Sequence, residues 1–158
     1  MNFNLKLASQ FIIAAELLEK TEESSPERNS AILYQSLISI EISLKAALEK
    51  AGYQKNKLKK ISHNLKKLLD EVSLKCEFID SGIQSSGIRA LNAAPGYSEG
   101  TVGRLLSNLE SKSVSQYPGE IRYKGAEKHY PAEVMLECAR LIYAWCNNNQ
   151  NNLRKKER

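Results

Sequence analysis

Apolar residues recur along this chain at helical spacing, most clearly in three stretches. Between residues 4 and 21, Leu7, Phe11, Ala15 and Leu18 fall at steps of four, four and three, which predicts a first helix with one apolar stripe. A polar link from Thr21 leads to Pro26, a residue suited to a helix start. Residues 27 to 51 then carry Leu33, Leu37, Ile40, Leu44 and Leu48, with Ile38 and Ile42 widening the stripe, and Gly52 offers a C-terminal cap. Such breadth predicts a central helix, and the short link predicts an antiparallel pair with the first one.

The pattern then changes twice. A lysine-rich link from Tyr53 to Lys60 precedes Ser62-His63-Asn64, where either Ser62 or Asn64 can cap a third helix running to about Phe78. Its inward residues are expected to be Leu65, Leu68, Leu69 and Val72. Five of the eight glycines fall within residues 82 to 103, so regularity weakens there. A short helix near 83–94, a turn at Pro95-Gly96 and a helical piece near 100–111 are expected. Residues 112 to 130 read as a loop with a turn at Tyr117-Pro118-Gly119. Pro131 suits the first position of a last helix, where a missing N–H is harmless. That helix carries two seams: Val134, Cys138, Leu141 and Trp145, and beside it Met135, Ala139, Ile142 and Cys146. No strand alternation or internal repeat interrupts this picture. The expectation is an all-α bundle of four to five main helices over residues 1–146, without a sheet, followed by a polar basic tail, 147–158, that frays or is disordered.

Composition adds a compartment and an absence. At 158 residues and 42% hydrophobic, the chain suits one soluble domain. Its three cysteines, Cys76, Cys138 and Cys146, form no Cys-x-x-Cys pattern, and an odd count argues against a disulfide framework. Reduced thiols in a cytoplasmic protein are the expectation, with Cys138 and Cys146 packed in the core of a helix bundle. No stretch approaches the ~18 uncharged residues needed to cross a bilayer. Glu16 breaks the N-terminal apolar run, which has helical spacing and not the form of a secretion signal. Neither a metal centre nor a hydrolase triad occurs at recognisable spacing, and no glycine precedes Lys-Ser or Lys-Thr as in a phosphate loop. No cofactor is expected.

The net charge of +5 is unevenly placed. Arg154, Lys155, Lys156 and Arg158 against Glu157 give the tail a net +3. Lys55, Lys57, Lys59, Lys60, Lys66 and Lys67 form a second concentration, with no acid among residues 53 to 67. These six are candidate RNA-phosphate contacts, and equally a solvated face. Candidate chemistry is sparse, because the chain has only two histidines. One, His129, follows Arg122 with six residues between them. An imidazole changes charge near neutral pH, and a guanidinium fork neutralises charge on phosphate oxygens. The pair is therefore a minimal kit for cleaving RNA, or two polar residues of a surface loop. Glu41 stands in an apolar part of the second helix, four residues before Lys45. It can form a helix ion pair there, or reach and orient Arg122 and His129. His63, beside a cap, reads as structural.

Three segments in order resemble the HEPN superfamily of small helical domains. They are Ile40-Glu41-Ile42-Ser43-Leu44-Lys45-Ala46-Ala47-Leu48, then His63-Asn64-Leu65 with Leu68 and Leu69, then Arg122 through His129. The last is similar to the family's motif of an arginine, four to six residues and a histidine. The resemblance implies a metal-independent endoribonuclease acting as a toxin or defence effector, in which two protomers pair their motifs in one cleft. It places Arg122 and His129 in catalysis, with Glu41 orienting them. It also implies a homodimer and, as possible partners, RNA and an antitoxin of the nucleotidyltransferase type. The alternative within the same likeness is a noncatalytic module that binds a nucleotide, RNA or a partner protein.

Overall fold

The computed structural model describes residues 3–21, 23–111 and 131–157. Helix α1 spans Leu5–Glu19 and α2 spans Pro26–Lys50. The short α3 (Lys55–Ile61) and α4 (Leu65–Lys75) follow, then strand β1 (Cys76–Phe78) and a 3-10 turn at Ser86–Ala90. Helix α5 covers Val102–Ser111, α6 covers Ala132–Asn149, and strand β2 covers Leu153–Lys155. The chain is mostly helical, as the all-α reading expects. The anticipated loop at 112–130, with its turn at Tyr117-Pro118-Gly119, lies outside the described residues, as do Arg122 and His129.

Helix α2 is the centre, packed between α1 and α6 and touching α4. Leu33, Leu37, Ile40, Leu44 and Leu48 are all buried, as their spacing requires. Local signals fix both ends. The Ser25 hydroxyl accepts from the Arg28 amide at 3.1 Å, and Pro26 occupies the first turn. At the other end Gly52 takes φ +108°, while the Tyr53 amide donates to the Leu48 carbonyl and the Gly52 amide to that of Glu49. This pairing is the Schellman stop, which only a residue at ease with positive φ forms without strain. By length and composition α2 could cross a bilayer, but 67% of its most apolar window is buried inside the bundle.

Helix α1 is turned relative to the expected stripe. Leu5, Ala8, Ile12 and Ala15 face inward, whereas Leu7 is 48% exposed. Of the predicted stripe only Ala15 is fully buried, with Leu18 packed at the edge. The reason is close helix approach. Ser36, Ser39 and Ser43 put a line of small side chains on α2, and the Ser39 hydroxyl donates to the Ala8 carbonyl at 2.9 Å. Small residues let the helices meet where bulky ones could not. On α6 the seam of Met135, Ala139, Ile142 and Cys146 is the deep one, while Val134, Leu141 and Trp145 are part-buried.

Four further expectations need correction. The link Tyr53–Lys60 contains a helix, α3, built around one buried residue, Leu58, too short for periodicity to reveal. The third predicted helix (α4) is capped by Asn64, whose side chain accepts from the Lys67 amide, but it stops at Lys75 instead of Phe78. Only the 3-10 turn stands where a helix was expected at 83–94. The largest change concerns the tail, where fraying was expected from Asn147. Helix α6 continues to Asn149, and β2 then pairs antiparallel with β1, Cys76 opposite Lys155 and Phe78 opposite Leu153. A small sheet therefore exists where none was anticipated. Leu153, the tail's one apolar residue, is buried, and the Lys155 and Lys156 amides donate to the carbonyls of Ala51 and Lys75. Backbone pairing and a single hook hold a segment whose composition looks disordered.

Candidate functional site

Two part-buried glutamates organise the polar chemistry of the described residues. The first is Glu41, midway along α2 beside buried Ile40 and Leu44. Its carboxylate meets the Lys45 ammonium at 3.0 Å and His63 Nδ1 at 2.7 Å. Lys45, itself buried, also lies over the Phe3 ring at 5.3 Å. His63 comes from the corner between α3 and α4, where Ser62 adopts φ +57° and Asn64 caps the next helix. That corner swings the imidazole back onto α2. A charge in an apolar stretch of helix needs partners, and Glu41 has Lys45 from its own helix and His63 from the corner after α3 among them. The i,i+4 ion pair anticipated with Lys45 is present. Whether Glu41 also orients Arg122 and His129 falls outside the described residues.

The second glutamate, Glu71 on α4, repeats the arrangement with other chemistry. It pairs with Lys75 one turn on at 3.2 Å, accepts from the Tyr53 hydroxyl at 2.6 Å, and has Lys57 at 3.9 Å. Burial pushes the Glu71 carboxyl up, but hydrogen bonds from Tyr53 and Lys75 and the charge of Lys57 outweigh it. The net direction is below the ordinary carboxylate range. Tyr53 moves the other way: burial, then its bond to Glu71, raises the phenol well above its usual value. Beside Glu71 on the chain, Asp70 also ends low. Burial raises it, and the Lys66 and Arg89 bonds at 2.8 and 2.7 Å lower it further.

The six lysines named as RNA contacts differ in their surroundings. Lys57 turns to Tyr53 and Glu71, and Lys66 to Asp70. Lys55, Lys59, Lys60 and Lys67 are exposed. Lys75, Lys155 and Lys156 line a cleft of about 430 Å³ with Lys57, Leu74 and Glu157. A sequence signal for Lys75 existed in its i,i+4 relation to Glu71. The tail lysines stood out by charge, but their place beside Lys57 and Lys75 depends on the sheet.

Cys138 and Cys146 are core residues, as expected, and Cys76 joins them. All three are buried as free thiols. Burial pushes Cys76 up to about 11, with the Tyr53 hydrogen bond opposing it, and burial pushes Cys138 up to about 12. Burial raises Cys146 likewise. Thiols held protonated in this way are poor nucleophiles. No family model, curated protein or solved structure matches the chain.

Proposed function

We propose that this chain is a HEPN-like domain that cleaves RNA without a metal, acting as a toxin or defence effector through a composite site in a homodimer. The observation that carries the reading is the 2.7 Å contact of Glu41 with His63 Nδ1. A carboxylate on one ring nitrogen orients the imidazole, which we assign to proton exchange with substrate. Residue spacing alone offered one catalytic histidine per protomer, His129. His63 adds a second that is already oriented. In this reading one imidazole takes the proton from the RNA 2′-OH, whose oxygen attacks the adjacent phosphorus. The other gives a proton to the departing 5′-oxygen, leaving a 2′,3′-cyclic phosphate and a free 5′-OH. Arg122 neutralises the charge that grows on the phosphorane oxygens. The remaining support is the order of the three HEPN-like segments and the positive charge around α3.

The test is cleavage of total RNA and growth arrest on expression of wild type, His129→Ala, Arg122→Ala, His63→Ala and Glu41→Gln. Activity should survive EDTA and follow a bell in pH. The first two variants should lose cleavage by roughly a hundredfold or more, and Glu41→Gln should lose less. Light scattering should find a dimer. Equal cleavage by wild type and His129→Ala would end the enzyme reading. Inactivity of every form would favour the second reading, a noncatalytic nucleotide-, RNA- or partner-binding module, which the exposed lysines of α3 independently support. A nucleotidyltransferase-type antitoxin remains the partner proposed for the toxin reading.

A further inference from the structure

The fold gathers ammonium groups that are distant in sequence. Lys57 comes from α3, Lys75 from the end of α4, and Lys155 and Lys156 from β2 and just beyond, all lining the one cleft. Their convergence is built into the backbone. The Lys156 amide donates to the Lys75 carbonyl at 2.9 Å, and the Lys155 amide to Ala51 at 3.0 Å. The Lys57 and Lys155 ammonium groups lie 4.9 and 5.1 Å from the centre of the same Tyr53 ring, and so within about 10 Å of each other. Four ammonium groups there face two acids: Glu71, already shared among Tyr53, Lys57 and Lys75, and Glu157, which lines the same cleft. Like charges held this close are self-repelling unless an anion joins them.

The character of the lining narrows the anion. The cationic groups are lysines, which act as point charges and lack the planar fork that arginine uses for bidentate recognition. Tyr53 is buried beneath two of them and offers no face on which a base could stack. Such a surface suits a succession of phosphates read without regard to base. We propose that the cleft between α3, the end of α4 and β2 binds the phosphodiester backbone of a single RNA strand. This deepens the reading of the chain as an RNA-acting protein and rests on it.

The experiment measures binding of the full chain to a short fluorescent 2′-O-methyl RNA by anisotropy across a salt series. That probe has no 2′-OH to attack, so binding is read apart from cleavage. The double variant Lys57→Gln/Lys155→Gln should lower the slope of log affinity against log salt by roughly 1.4, at ~0.7 per lost phosphate contact. Affinity at about 0.1 M salt should fall about 25-fold. Lys6→Gln/Lys20→Gln, which removes the same charge from α1 and its end, should change the slope little. Lys57→Arg/Lys155→Arg should restore binding, and circular dichroism should show unchanged helicity in all variants. Calorimetry with inorganic tripolyphosphate at matched ionic strength separates the two sources of the same chemistry. Tripolyphosphate binding that depends on Lys57 and Lys155, beside RNA binding that does not, would overturn the strand in favour of a small oligophosphate. Equal RNA binding by both lysine pairs, or none by wild type, would overturn the proposal. Neither result would touch the cleavage reading, which is decided by reactive RNA.

Discussion

Glu41 and Glu71 begin from the same local motif and end as different devices. Each is a part-buried glutamate with a lysine one turn ahead on its own helix, and each takes a hydrogen-bond partner from outside that helix. For Glu41 that partner is an imidazole, 48% exposed at a helix corner. For Glu71 it is the hydroxyl of Tyr53, whose residue is 4% exposed and whose proton is held tightly. An imidazole open to solvent can meet a molecule from outside, and a phenol buried beside a carboxylate keeps its proton. The i,i+4 pair therefore sets up a charge, and the tertiary partner decides whether that charge ends at an exposed ring or a buried hydroxyl.

The strongest way to break this contrast is Glu41→Ala. It leaves the buried Lys45 ammonium without its counter-ion, and chemical denaturation should report a loss of about 3 kcal/mol. Glu41→Ala combined with Lys45→Met should recover much of that loss, since removing both charges abolishes the desolvation penalty. A double variant no more stable than the single one would show that Lys45 finds water easily. Next comes Glu71→Ala, expected to cost about 2 kcal/mol because the Tyr53 hydroxyl loses its acceptor while Lys57 and Lys75 rotate into solvent.

Acid sharpens the contrast further. The Glu71 carboxyl sits below its unfolded value, so its contribution is present above the unfolded pKa and is lost as pH falls through the lower folded value. The urea midpoint of wild type should therefore fall between neutral and strongly acid pH, and Glu71→Gln should flatten part of that fall. Asp70, depressed in the same direction, accounts for a further share. A Glu71→Gln profile parallel to wild type would contradict this assignment. The smallest effect belongs to the corner that carries His63. Ser62 stands at φ +57°, and Ser62→Gly should add about 1 kcal/mol of thermal stability if the strain is relieved.

Much of the bundle was legible in the sequence because α2 and α6 are long enough for their period to repeat. The α1 stripe was misplaced for an identifiable reason. Leu7 and Phe11 outrank Ala8 by size, yet helix approach is governed by what faces Ser36, Ser39 and Ser43. Strand β2 was illegible because it needs one inward leucine and a backbone partner, and neither changes composition. At the sites, Lys45 and Lys75 could be read from spacing. His63 and Tyr53 could not, since they reach their glutamates only through tertiary packing across 22 and 18 residues.

The pairing of β1 with β2 carries a kinetic consequence. Glu77 and Arg154, bridged at 3.2 Å, are 77 residues apart along the chain. By contrast, the α1–α2 hairpin closes across a short turn. Closing the longer loop costs more chain entropy, and three residue pairs give back little. The ribbon should thus form after the helices and open before them, as a separate low-energy fluctuation. Opening would scatter Lys155 and Lys156 from Lys57 while leaving the α1–α2–α6 packing intact. Amide exchange at the Lys155 N–H should accordingly outpace exchange at Leu44, making the electrostatics of the cleft a matter of timing as well as position.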